Sequence, residues 1–185
     1  MASYGEKYWR HLMVAAALLE SEGKVLLVEN FRPWKGATEW TVPAGILDPD
    51  ETLLETARRE VLEETGLEVT AWGGLAYVVH RIFVPIKLQL AVYVFAASAF
   101  EGSLRLEDPD GIVIDAHWAT SEEIPQLMGS NVLSEPLLAW LSGARSTRFY
   151  EYREEQPEHG ELLTMLSITT GRHDSNLNEA FDRRQ

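Results

Sequence analysis

The sequence contains no cysteine, and that absence removes disulfides, thiolate metal sites and thiol nucleophiles together. A cytoplasmic protein is the expectation that fits. Positive charge is also scarce: 16 Lys and Arg stand against 29 Asp and Glu, for a net charge of −13. A chain this acidic repels phosphodiester backbones, so nucleic acid is not expected as a partner, while small anions stay accessible where a metal bridges them. Long apolar runs are missing too. None approaches the roughly 20 residues of a membrane span, and no membrane association is expected. The stretch LMVAAALL (12–19) follows Lys7, Arg10 and His11 and superficially imitates a signal peptide. It reads instead as a strand, because SEG (21–23) makes a turn and KVLLVEN (24–30) returns, which predicts a hairpin.

What is present is a core. Hydrophobic residues make up 45% of the chain, with six Trp, six Tyr and six Phe, enough apolar surface to offset the entropy of ordering. The length of 185 residues suits one domain with a tail. The domain is expected over residues 1–143. A C-terminal extension over 144–185 is expected to hold a hairpin around the turn-like QPEHG (156–160), then a mobile polar tail. Within the domain, FRPWKGATEW (31–40) reads as a loop, and 69–83 and 86–97 read as strands despite Gly73-Gly74. DPDG (108–111) is a turn, 112–118 a strand, and 120–128 and 133–143 helices, the second ending at Gly143. Strands interleaved with helices predict an α/β fold with a mixed β-sheet between helical layers.

One helix stands apart. It is expected to start near DPDET (48–52) with Asp50 as cap and to end at Gly66, with Leu53, Leu54, Ala57, Val61 and Leu62 on its packing side. Its other side holds Glu60, Glu63 and Glu64, and like charges three or four residues apart on a helix each cost a few tenths of a kcal/mol. Something must compensate. Three carboxylates on one face, beside a tight loop with backbone carbonyls, make an all-oxygen site suited to Mg²⁺ or Mn²⁺. Such an ion bridges a diphosphate and lowers the pKa of a bound water.

From Gly45 the spacing is five residues, Glu51, seven residues, then Arg59-Glu60-Val61-Leu62-Glu63-Glu64-Thr65-Gly66-Leu67. At average residue frequencies a chance match is on the order of one in millions. This is the complete Nudix box, Gly45 to Leu67, and over about residues 10–143 the chain resembles a Nudix hydrolase. The resemblance implies an α/β/α sandwich with a loop-helix-loop catalytic motif. It implies Glu60, Glu63, Glu64 and the carbonyl of Ala44 as metal ligands. Arg59 would serve the catalytic group, with Glu51, Gly45 and Gly66 supporting it. The general base would be Glu64 first, with the later loop LEDPDG (106–111) offering Glu107, Asp108 and Asp110, of which Asp110 is the other candidate. Asp108 and Asp110 also suit the turn. His80 and His117 sit in strand-like runs and read as structural.

The resemblance also implies a small-molecule nucleotide as partner, a nucleoside diphosphate linked to a second moiety. Pro43-Ala44-Gly45 resembles the opening of the box in ADP-ribose and nucleotide-sugar pyrophosphatases, and Arg32, Trp34 and Lys35 are placed to bind phosphate and stack on a base. Forty-four residues precede Gly45, short for the N-terminal sheet that many ADP-ribose enzymes use to dimerise, and Pro85 matches that subfamily only loosely; a homodimer is left open. Two rivals remain: a (d)NTP pyrophosphohydrolase and a non-catalytic nucleotide-binding module. The related isopentenyl diphosphate isomerases are set aside because their chemistry uses a cysteine.

Overall fold

The computed structural model describes residues 8–33, 36–129, 132–143, 148–155 and 163–170. The apolar run 12–19 supplies most of β1 (Arg10–Leu18), and from Ala15 onward both of its faces are covered. Ala16 and Leu18 face one core with Val25, Leu27, Val79, Ile124 and Leu137. Ala17 and Leu19 face another with Leu26, Val61, Leu67 and Val69. A strand covered on both sides needs no polar face, which is why this one reads as an unbroken apolar run.

Around β1 is a mixed sheet in the order β10-β9-β6-β7-β1-β5. Its members are β5 (Ala44–Ile46), β6 (Leu67–Phe83), β7 (Leu88–Gly102), β9 (Arg148–Glu154) and β10 (Leu163–Thr170). β1 runs parallel to β7 and antiparallel to β5, and β6 runs parallel to β9. The second sheet is built on β3 (Lys24–Arg32), which pairs with β2 (Glu20–Ser21), β4 (Ala37–Thr41) and β8 (Val113–Ala119). The helix α1 (Leu53–Thr65) adds Val61 to one core, while α2 (Ile124–Leu127) and α3 (Ser134–Leu141) add Ile124 and Leu137 to the other. This is the α/β/α layering expected. No helix among the described residues is long and apolar enough to cross a membrane.

Several local expectations are corrected. The predicted hairpin shrinks to the two residues of β2, because β1 spends its edges on β5 and β7 and the chain changes sheets at Leu19. The segment 31–40 is mostly strand rather than loop. Thr38 donates to Glu29 at 2.6 Å and Arg32 to Glu39 at 3.2 Å across β3 and β4, contacts no local propensity announces. β6 passes through Gly73-Gly74 by a chain of register shifts instead of breaking. The reading over 120–128 reduces to the four residues of α2, with Pro125 in its first turn. The sheet also continues past residue 143, since β9 pairs with β6 and buries Tyr150 against Tyr77. The turn at 156–160 and the tail after 170 lie outside the described residues.

Candidate active site

The site is made where α1 meets the loop that enters β5. Thr52, not Asp50, caps the helix: its hydroxyl accepts from the Glu55 N–H at 3.3 Å, and the Glu55 carboxylate accepts from the Thr52 N–H at 2.8 Å. That reciprocal pair satisfies two orphan donors, which is more than Asp50 offers. The far end closes at Gly66, whose left-handed backbone (φ 70°) directs its N–H to Leu62. A Cβ there would press on Arg105 and Ser103.

The clean division of α1 into apolar and acidic sides does not hold. Leu54 and Leu62 are exposed, whereas Glu64 is 6% exposed and shares the buried side with Ala57 and Val61. The loop is the reason. Ala44 and Gly45 pair with Ala16 and Ala15 of β1 and are thereby laid over the Glu60/Glu64 stripe. The Ala44 N–H donates to Glu64 Oε2 at 3.0 Å, and a Cβ at Gly45 would collide with the Glu60 carboxylate. The helical carboxylates and the loop backbone therefore form one surface.

Arg59 organises the rest. Its Nε and Nη2 donate to the two oxygens of Glu51 at 2.8 and 3.0 Å, a fork-to-fork pair. Its Nη1 donates to Glu60 at 2.6 Å and Glu63 at 3.1 Å. Asp48 lies 3.7 Å from Nη2. These bonds hold the Glu51 carboxyl down at about 2, chiefly through Arg59 and then through the Thr56 hydroxyl. Burial acts the other way on the box. It raises Glu60 despite Arg59, with Glu63 and Asp110 adding like charge. It pushes Glu64 up to about 8, against the Ala44 N–H and Arg32, with Glu60 and Asp108 adding to the rise.

The donor set passes a chemical test for a hard divalent cation. Glu60 and Glu64 are carboxylates largely withdrawn from water, the Glu60 carboxylate lying against Gly45 and Glu64 bonded to the Ala44 N–H, and hard carboxylate and carbonyl oxygens are the donors such a cation takes. Among the described residues no three His, Asp or Glu side chains form a ready metal cage. The cation between Glu60 and Glu63 here is the Arg59 guanidinium.

Of the other sequence candidates, Arg32 ends β3, bonded to Glu39, with its charge acting on Glu64. Trp34 and Lys35 lie outside the described residues. In the later loop, Asp108 accepts from the N–H groups of Asp110, Ile112 and Val113, so its carboxylate is spent on the turn. Asp110 gives the turn its N–H and sends its charge towards Glu60. His80 and His117 stand 3.6 and 3.5 Å from Glu151 and Glu123, which is a structural use of both. Thr56 carries no mark in the box spacing, yet it bonds Glu51. Its signal in the sequence is helical, since 56, 60 and 63 fall on one face.

A mixed-sheet sandwich with this loop-helix-loop carboxylate surface defines a phosphoanhydride hydrolase of the Nudix type. The NUDIX domain profile matches residues 9–141, and the chain belongs to that family. It is an enzyme, a Nudix pyrophosphohydrolase. The phosphatase NudJ of Escherichia coli is 31% identical over 135 residues, 72% of this chain and 85% of its own length. Among solved structures, a NUDIX hydrolase from Nitrosomonas europaea aligns with a TM-score of 0.64 at 25% identity, covering 74% of this chain and 92% of that one. A MutT protein from Bacillus halodurans aligns at 0.63 and 23% identity, over 85% and 96%, a likeness of fold.

Proposed function

We propose that this enzyme is metal-dependent and hydrolyses the phosphoanhydride of a nucleoside diphosphate linked to a second moiety, with ADP-ribose or a nucleotide sugar as substrate class. The observation that carries the metal-dependent part is the joint surface of Glu60, Glu64, Ala44 and Gly45, where a buried and a half-buried carboxylate meet the loop backbone side by side. Glu60, Glu63, Glu64 and the Ala44 carbonyl would hold Mg²⁺ or Mn²⁺. When bound, that ion supplies charge neutralisation of the diphosphate and acidification of a water.

The chain's own groups do the rest. Glu64, screened from bulk water and bonded to the Ala44 N–H, would take a proton from the attacking water; Asp110, whose charge acts on Glu60 from the turn, is the second candidate. Arg59 holds Glu60 and Glu63 in register, with Glu51 orienting Arg59, and Gly45 and Gly66 setting the backbone. Arg32, whose charge already reaches Glu64, binds the substrate phosphate, joined by Lys35 and by stacking on Trp34. The substrate class rests on Ala44 before the box glycine and on the residue types Arg32, Trp34 and Lys35. A cytoplasmic setting and an acidic surface that turns away nucleic acid complete the reading.

The test is release of the nucleoside monophosphate from ADP-ribose, nucleotide sugars, NTPs and dNTPs, each with and without Mg²⁺. ADP-ribose or a nucleotide sugar is expected to lead in kcat/KM, with no turnover after chelation. dNTPs ahead by about tenfold, roughly 1.4 kcal/mol of transition-state binding, would refute the substrate class and leave the hydrolase standing.

A further inference from the structure

We propose that Thr56 is a positioning residue of this centre, its buried hydroxyl fixing the Glu51 carboxylate so that Glu51 aims Arg59 at Glu60 and Glu63. Five bonds make the relay. Thr56 Oγ1 donates to Glu51 Oε2 at 2.7 Å, Arg59 Nε and Nη2 donate to the two Glu51 oxygens, and Arg59 Nη1 reaches both box glutamates.

A threonine inside a helix ordinarily turns its hydroxyl back on the carbonyl four residues earlier. Thr65, on the same helix and equally inaccessible, does so, donating to the Val61 carbonyl at 2.5 Å. Thr56 does not. Its own backbone N–H donates to the Thr52 carbonyl at 3.0 Å, so the acceptor was within reach, yet the hydroxyl leaves the helix for a side chain that precedes the cap. The final torsion of a glutamate is broad and nearly two-fold, and the fork to Arg59 fixes the two groups to each other while leaving the pair free to turn together on two long side chains. A donor fixed on the helix interior defines that plane, and the guanidinium fork follows it. Glu63 is 36% exposed and long, so what Arg59 points at is decided by how Arg59 is held.

The inference rests on the metal-centred reading above, and its test separates the two. Thr56→Val keeps the volume and removes the donor; Thr56→Ser keeps the donor. Two measurements are made: hydrogen exchange of the Arg59 Nε–H by NMR in the metal-free protein, and Mn²⁺ binding followed by electron paramagnetic resonance. Thr56→Val should melt cooperatively, exchange the Arg59 Nε–H several-fold faster and bind Mn²⁺ about tenfold more weakly, the scale for outer-shell partners of a metal site. Thr56→Ser should behave as the parent, and in a Glu51→Ala background Thr56→Val should add nothing. Unchanged exchange and Mn²⁺ binding in Thr56→Val would overturn the proposal, as would failure of Thr56→Ser to rescue or loss of the fold in Thr56→Val. If the parent protein binds no Mn²⁺ while Arg59 exchange still responds to Thr56→Val, the metal reading falls and the positioning role stands.

Discussion

Glu64 is 6% exposed with the Ala44 N–H as its donor, and burial pushes its pKa up to about 8. In the metal-free protein it is therefore largely protonated at neutral pH, and Glu64→Gln is close to an isostere of that form, able to accept from the same N–H. The variant is expected to fold and melt like the parent while kcat falls by roughly 10²–10⁴, the scale of a lost proton-transfer group. Near-parent turnover would remove Glu64 from the chemistry. The pH dependence has a definite sign. A carboxyl raised in the folded state contributes stability below its ordinary value of 4.5, and that contribution is lost as pH rises through about 8. Because a ligand carboxylate must be ionised, Mg²⁺ should displace the proton and bind more tightly as pH rises, levelling above about 8. Calorimetry in buffers of different ionisation enthalpy should show proton release near pH 6.5 and almost none near pH 9. Asp110 uses its N–H, not its carboxylate, in the turn. Asp110→Asn should thus keep the loop and lower kcat less than about tenfold; a loss equal to that of Glu64→Gln would move the base to Asp110.

At the scale of the element, α1 was legible because helix signals are local. Its span and its terminator Gly66 follow from spacing. The cap that forms, Thr52, lies two residues beyond the expected Asp50, and with Glu55 it spells a capping box in the sequence. Thr52→Ala should cost about 1 kcal/mol by denaturant titration and leave KM unchanged. The burial of Glu64 was not legible, since it depends on β5 pairing with β1 and drawing the loop across the helix. That crossing makes Gly45 a sharp probe. Gly45→Ala places a Cβ in the Glu60 carboxylate, so Mn²⁺ binding should be lost with the helical circular dichroism retained. Binding at parent strength would mean that Glu60 can leave the loop without consequence.

In the whole molecule, composition and the order of elements disclose the layered class, but which strands pair does not show in any short window. β1 reads as the partner of β3 and is instead joined to β5 and β7; 148–154 reads as an appendage and is a strand of the main sheet. Tyr150 is 1% exposed and meets the edge of Tyr77, and Tyr150→Ala should cost about 3–5 kcal/mol, as deletion of a buried large aromatic does. Urea unfolding would check it, with turnover per folded molecule preserved. The pairing of β6 with β9 also sets a timetable. Tyr77 to Phe83 are made some seventy residues before their partners Arg148 to Glu154, and a chain grows at about 5–20 residues per second. During synthesis the β6 edge therefore waits on the order of seconds, bare and rich in aromatic and branched side chains, with the acidic helix already complete. A ribosome pausing within the intervening stretch would lengthen the interval in which that edge can capture another nascent chain, so translation speed between α1 and β9 becomes a determinant of yield.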